Sequence, residues 1–229
     1  MWETVAGDYK SFYDLDTLAP LGVGVSIAAY MANSSIDEDL QAEYIDDTSR
    51  RRRHNFSRSI GRPGHILISL AILSSTWGVA RMLGDDGNSA SSMWAKRSLR
   101  SVLVGAPVML PLQNVTGASR PYEDNGSDWR LLEDSNTTSG HAFVGSIPFL
   151  VAGRMNENPW IRYPIYALSA LPAWSRVKRN RHYPSQALLG WWVGWLSVES
   201  VFDAEQSETV KIMPWADVDA FGLRLDWSF

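Results

Sequence analysis

Apolar runs of helical length alternate along the chain with short polar punctuation, and the runs predict six core helices. The first, Thr17 to Ile36, carries no charge but is diluted by Gly22, Gly24, Ser26 and Asn33. A short polar and aromatic stretch, Asp8 to Asp16, precedes it. Ser35-Ile-Asp-Glu38 fits a capping box, in which a serine and a glutamate three residues on satisfy each other's backbone donors, so a charged surface helix is expected from Ser35 through about Asp47. Arg50 to Arg53 follow, and four consecutive charges read as a solvated helix end or loop rather than a phosphate or lipid contact. Gly61-Arg-Pro-Gly64 then punctuates the chain. His65 to Leu83 forms the second apolar helix, closed by the turn signal Gly84-Asp-Asp-Gly87, and His65 at its start is expected to cap or pack.

The third helix begins at Ser89 and runs through Trp94, Leu99, Val102 and Val104 toward Leu112. Pro107 and Pro111 are expected to kink or end it, because proline lacks a backbone donor and its ring crowds the preceding turn. Gln113 to Thr138 turns polar, a long loop of the kind that usually serves a function. Ala142 to Gly153, Pro159 to Trp174 and Pro184 to Phe202 supply the fourth, fifth and sixth helices. Past Asp203 the period changes to two: Val210 and Ile212, then Leu223, Leu225, Trp227 and Phe229, alternate with polar residues. That alternation predicts a short C-terminal β-hairpin over 210–229, turning near Pro214 to Asp219 and packed on the bundle edge. The expected fold is all-α, a helical bundle of about six core helices with that hairpin, in a single domain over all 229 residues.

Composition narrows the partners. A net charge of -4, with charged residues at 20%, leaves no global basic field, so nucleic acid is not an expected partner. Absence of cysteine removes disulfides, thiolate metal sites and cysteine nucleophiles. The first ten residues lack a basic start followed by an apolar core, so no signal peptide is visible in this chain. Trp191, Trp192 and Trp195 cluster on the sixth segment and read as helix packing rather than a membrane belt or an aromatic substrate wall. A spanning helix needs about 20 predominantly apolar residues. The segments here are shorter or diluted, and mean hydropathy is -0.17. The arginine-rich loops follow the first, third and fifth segments, which the positive-inside rule would place in the cytoplasm together with the candidate site. The expectation is a soluble or at most membrane-peripheral bundle, exported or periplasmic, with homo-oligomerisation open.

Candidate chemistry concentrates in Trp174 to Trp192. A cationic run, Arg176, Lys178, Arg179 and Arg181, leads to His182, and Pro184 opens the sixth helix where proline costs little. A helix start presents unpaired N–H groups and the positive end of the dipole, so together with the guanidiniums it predicts an oxyanion site with phosphate as its guest. Two further pieces precede it: Arg120-Pro121 after the third helix and Ser139-Gly140-His141 opening the fourth.

In this order and spacing the three pieces resemble the type 2 phosphatidic acid phosphatase superfamily, which includes class A acid phosphatases, membrane lipid phosphatases and vanadium haloperoxidases. The family pattern is Lys-x6-Arg-Pro, then Pro-Ser-Gly-His, then Ser-Arg-x5-His-x3-Asp, and the resemblance covers Gln113 to Gln186. It implies a phosphatase that hydrolyses phosphate monoesters, lipid or small-molecule, through a phosphohistidine, with no metal and no cofactor. His182 resembles the nucleophile and His141 the acid that protonates the leaving oxygen. Arg120 and Arg176 would clamp the phosphate, with Ser139 and the N–H of Gly140 as further donors. Vanadate is implied as an inhibitor or, in the alternative of a haloperoxidase, as the prosthetic group.

Three positions depart from the pattern. Gln113 stands where the family has lysine and can bind a phosphate oxygen without supplying charge; Thr138 stands where it has proline. Gln186 replaces the aspartate that orients the nucleophile, one helical turn past His182. Its amide oxygen can hold the imidazole tautomer but brings no charge, which leaves a catalytically weak phosphate-binding relative as a further alternative.

Overall fold

The residues described by the computed structural model, 2–45, 66–217 and 220–227, are mostly helical. Three helices open the chain: α1 (Trp2–Phe12), the longer and apolar α2 (Leu15–Ala32), and the short acidic α3 (Ile36–Ile45). They are followed by α4 (Ile66–Met82), α5 (Ala90–Val115), α6 (Gly140–Arg154), α7 (Pro159–Ser169), α8 (Leu171–Lys178) and α9 (Pro184–Thr209). The starts follow local chemistry. Asp14, Ser89, Ser139 and Asn158 each place a side-chain oxygen on a backbone N–H of the first turn, the usual remedy for donors that have no helical partner.

α6 and α9 form the centre. Phe143, Val144, Ile147, Leu150 and Val151 of α6 pack with Val193, Leu196, Val198 and Phe202 of α9 and with Val102, Val104 and Met109 of α5. Each such side chain withdrawn from water contributes about 1.5–3 kcal/mol. α6 is apolar on nearly every face and has neighbours to match, as a central helix must. Trp191, Trp192 and Trp195 pack against this core, and two of them find partners for their indole N–H: Trp191 donates to Ser169 Oγ at 2.9 Å and Trp192 to the carbonyl of Pro20 at 3.0 Å. One buried ion cluster pins the ends together, with the guanidinium of Arg100 held by Asp8 of α1 and Glu205 of α9.

One glycine decides how the two central helices meet. A Cβ on Gly190 would collide with the carbonyl oxygen of Ser139. This close approach lets the N–H of Ser139 donate to the carbonyl of Gln186 at 3.0 Å, tying the start of α6 to the first turn of α9. Gly190→Ala is expected to lower stability by about 1–3 kcal/mol through overpacking and to depress turnover, read from urea midpoints and steady-state rates; an unaltered midpoint would show that the helices separate freely.

Several sequence expectations change. α5 continues through Pro107 and Pro111 to Val115, so neither proline ends it. The fifth apolar run is two helices rather than one: Pro172, in the first turn of α8, has no N–H to continue the ladder of α7. Ser175 and Arg176 therefore sit on a helix instead of in a loop. α3 is not simply a surface helix, because Asp37 and Gln41 are buried. The expected end of that helix near Asp47, the Arg50 to Arg53 run, the Gly61 to Gly64 punctuation and His65 lie outside the described residues.

At the C-terminus the backbone pairs β1 (Val210–Asp217) with β2 (Ala220–Trp227) antiparallel, from Val210 opposite Trp227 to Asp217 opposite Ala220. Pro214 lies within β1, opposite Leu223, and not in the turn. The expected hairpin seated on the bundle edge is not supported as part of the fold. Two strands paired only with each other are marginally stable at best in water, and the bundle that positions the site is helical. Among the described residues one helix, α2, is long and apolar enough to cross a membrane by length and composition, with 17% of its window buried.

Candidate active site

α8 ends at Lys178, and the chain reverses through Asn180, whose φ of 56° is a left-handed conformation that asparagine tolerates better than most residues. His182 follows, 4% exposed, with Nδ1 3.0 Å from Oε1 of Gln186. The Gln186 amide is held at both ends: Oε1 accepts the N–H of Tyr183 at 3.1 Å, and Nε2 donates to the carbonyl of Ser119 at 2.8 Å. Both backbone partners demand the same orientation of the amide, with oxygen toward the imidazole. An amide oxygen only accepts, so Nδ1 carries the hydrogen and Nε2 carries the lone pair. Gln186 thus selects the tautomer that a nucleophilic histidine needs.

The ring is also neutral. Burial, then the charge of Arg176, lowers the pKa of His182 to about 3; the Gln186 bond opposes this, and Arg120 and His141 add smaller lowering. The unfolded chain binds a proton here near 6.5, while the folded chain does not until about pH 3. His182 therefore contributes stability that is fully present above 6.5 and is lost as pH falls toward 3. His182→Gln is expected to flatten the decline of the urea midpoint between about pH 7 and 4.5; an unchanged slope would indicate an imidazole in water-like surroundings.

Arg176 is 7% exposed, and its Nε is buried without a hydrogen-bond partner among the described residues. Burial, then Arg179, Arg120 and Arg181, lowers its pKa to about 10, with Tyr122 opposing. A buried guanidinium among like charges is costly unless an anion joins it. Arg120 is anchored differently: Nε donates to Asn136 Oδ1 at 2.7 Å and Nη1 to the hydroxyl of Tyr122 at 2.9 Å. Glu123 fixes its backbone by accepting the Arg120 N–H at 2.7 Å. The guanidinium of Arg181 also faces the Tyr122 ring, 5.3 Å from its centre.

Across from these, Ser139 caps α6 by accepting the N–H of Ala142 at 3.3 Å, and its hydroxyl hydrogen can still be donated. Gly140 and His141 form the first turn of α6. Gln113 donates through Nε2 to the carbonyl of Thr138 at 3.0 Å, and a Cβ on Gly140 would lie 3.3 Å from that nitrogen. It braces the loop that enters α6, beside the position where a phosphate oxygen is expected.

The start of α9 does not offer the open donors that the sequence suggests. Asp37 accepts the N–H of Ser185 at 2.8 Å and Gln186 accepts that of Tyr183, so the protein's own oxygens occupy this helix terminus. The donors left open to an anion are those of the arginines and of the α6 terminus. The residues that hold the site and went unnoticed in the sequence are Asp37, Gln41, Ser119, Tyr122 and Asn136. Ser119 and Tyr122, one residue before and two after Arg120, and Asn136, three before Ser139, lay close enough to a motif to be suspected, whereas Asp37 and Gln41 did not.

Residues 99–207 match the family model described as PAP2 superfamily. Over this span the chain is similar to the PAP2 superfamily. Gln113, Arg120, Ser139, Gly140, His141, Arg176, His182 and Gln186 all fall within the matched span. PAP2 superfamily members are generally phosphatases acting on phosphate esters, and many are membrane-associated. No curated protein and no solved structure matches the chain. α1 to α4 precede the PAP2 span, so Asp37 and Gln41 reach the site from outside it.

Proposed function

We propose that this protein is a metal-independent phosphomonoesterase that works through a phosphohistidine on His182. The observation that carries the reading is the orientation of Gln186, which leaves a neutral His182 with its lone pair on Nε2 beside the charges of Arg176 and Arg120. In the first step Nε2 attacks phosphorus, the ester P–O bond breaks, and the leaving oxygen takes a proton from His141. In the second a water, losing its proton to His141, attacks phosphorus and the P–N bond breaks. Arg176, Arg120 and the donors at the start of α6 offset the charge on the equatorial oxygens, where phosphoryl transfer needs it.

The test is hydrolysis of an aryl phosphate. Turnover blocked by vanadate and indifferent to a chelator is expected; loss with chelator would sink the metal-free mechanism. Because the nucleophile stays neutral down to about pH 3, turnover should persist at about pH 4.5. An acid limb near the ordinary imidazole value would show His182 titrating as if in water. Peroxide with vanadate and bromide separates the haloperoxidase reading, and robust hydrolysis removes the non-catalytic one.

The surface suggests where the enzyme works. Leu15, Val23, Ile27 and Tyr30 of α2 and Ile68, Ile72, Val79 and Met82 of α4 are exposed apolar side chains at helical spacing. Apolar patches of this extent mark membrane or protein contacts. We infer peripheral seating on a bilayer, and expect co-sedimentation with phospholipid vesicles that Val23→Lys with Ile27→Lys abolishes; equal pelleting of both proteins would defeat it.

A further inference from the structure

α3 reads Ile-Asp-Glu-Asp-Leu-Gln-Ala-Glu-Tyr-Ile, an acidic helix that composition alone assigns to solvent. Asp37 and Gln41, four residues apart and therefore on one face, are nevertheless buried, Asp37 at 0% exposure. Asp37 directs both carboxylate oxygens to Ser185: Oδ1 accepts the backbone N–H at 2.8 Å and Oδ2 accepts the hydroxyl. Gln41 Nε2 donates to the carbonyl of Val177 at 3.2 Å and to Asn180 Oδ1 at 2.9 Å. These contacts bracket the nucleophile, with Val177 and Asn180 before His182 and Ser185 after it.

We propose that Asp37 is a positioning residue for His182: held by Ser185, its carboxylate supplies the first turn of α9 with the negative charge that Gln186 lacks, while Gln41 sets the approach of the loop. This rests on the phosphohistidine reading. Attack by Nε2 leaves the ring phosphorylated on one nitrogen and protonated on the other, and so cationic. The Gln186 oxygen accepts the Nδ1–H but carries no charge, and a carboxylate in a poorly hydrated turn acts over a longer range than it would in water. The field of α3 already reaches the neighbouring residue. The hydroxyl of Tyr183 is pushed up to about 12, first by burial and then by Glu38 and Asp37, with Asp124 and Asp128 behind them. α3 lies outside the span that the family model matches.

Steady-state kinetics on an aryl phosphate decide the matter, with wild type, Asp37→Asn, Asp37→Asn combined with Gln186→Asp, and Gln41→Met. Asp37→Asn is expected to lower kcat about 10²-fold, leaving KM and inhibition by inorganic phosphate within about twofold. Adding Gln186→Asp should restore most of that loss by returning charge to His182 from its own helix. A mere helix cap would give no rescue, because the second substitution also removes the donor to Ser119. Gln41→Met keeps length but loses both donated bonds, and should lower kcat at unchanged KM; it decides the question if Asp37→Asn does not fold. Wild-type kcat in Asp37→Asn, absence of rescue, or wild-type kcat in Gln41→Met would each overturn the proposal. A wild type that hydrolyses no ester would overturn the phosphatase reading along with it.

Discussion

His182→Ala should abolish hydrolysis, with kcat reduced by about 10⁴-fold or more, since removing a covalent nucleophile removes the two-step path itself. The imidazole is nine-tenths buried or more and held by Gln186, which cannot act as a nucleophile in its place. Quenching wild type in alkaline denaturant during turnover of a phosphorus-labelled ester should trap label that is stable in base and released in acid, the behaviour of a phosphoramidate, and the alanine variant should trap none. Label that survives in His182→Ala would move the nucleophile elsewhere. Gln186→Leu is the informative companion. With no acceptor for Nδ1–H the ring is free to take the other tautomer, and in the serine-protease triad a wrong tautomer costs about 10⁴ in turnover.

Arg176→Met should have two effects of opposite sign. Without ligand, the variant is expected to be more stable than wild type by about 1–4 kcal/mol, because an apolar side chain of similar volume replaces a buried charge. For a chain of this size each kcal/mol corresponds to about 2–4 °C in Tm. With ligand, inhibition by inorganic phosphate should weaken about 10²-fold, the loss of charge-assisted bonds to the anion. The prediction follows from the unpartnered Nε and from the cations that crowd this guanidinium and lower its pKa. Thermal melts with and without phosphate read both effects at once. If wild type gains no Tm from phosphate, or if the variant melts lower in its absence, Arg176 is a structural ion and not a phosphate clamp.

Much of the bundle was legible because helices announce themselves locally. Apolar residues three and four apart define a buried stripe, and Ser89, Ser139 and Asn158 mark starts that any sequence of that kind would show. Legibility failed where an element depends on what lies beside it. α5 passes through two prolines, and the fifth run breaks at Ala170 because Pro172 cannot continue it. The terminal alternation predicted strands, and β1 and β2 do pair, but period two says nothing about whether a two-stranded ribbon has a surface to pack on.

The same division runs through the site. The sequence alone determined which residues are candidates, His182, His141, Arg120, Arg176 and the Ser139-Gly140 turn, since a motif's order and spacing are properties of the chain. It also determined that residue 186 brings no charge, because that is a matter of residue type. Tertiary structure decided what the neutral residue does. Ser119, 67 positions away, holds the Gln186 amide so that its oxygen faces the ring, and Asp37, 148 positions from Ser185, occupies the helix terminus that the sequence had offered to phosphate. A hydrogen bond is directional, and a buried donor or acceptor must be satisfied by whatever the fold brings within about 3 Å. Periodicity along the chain carries no record of those partners, so the tautomer and charge state of His182 were decided only when distant segments met.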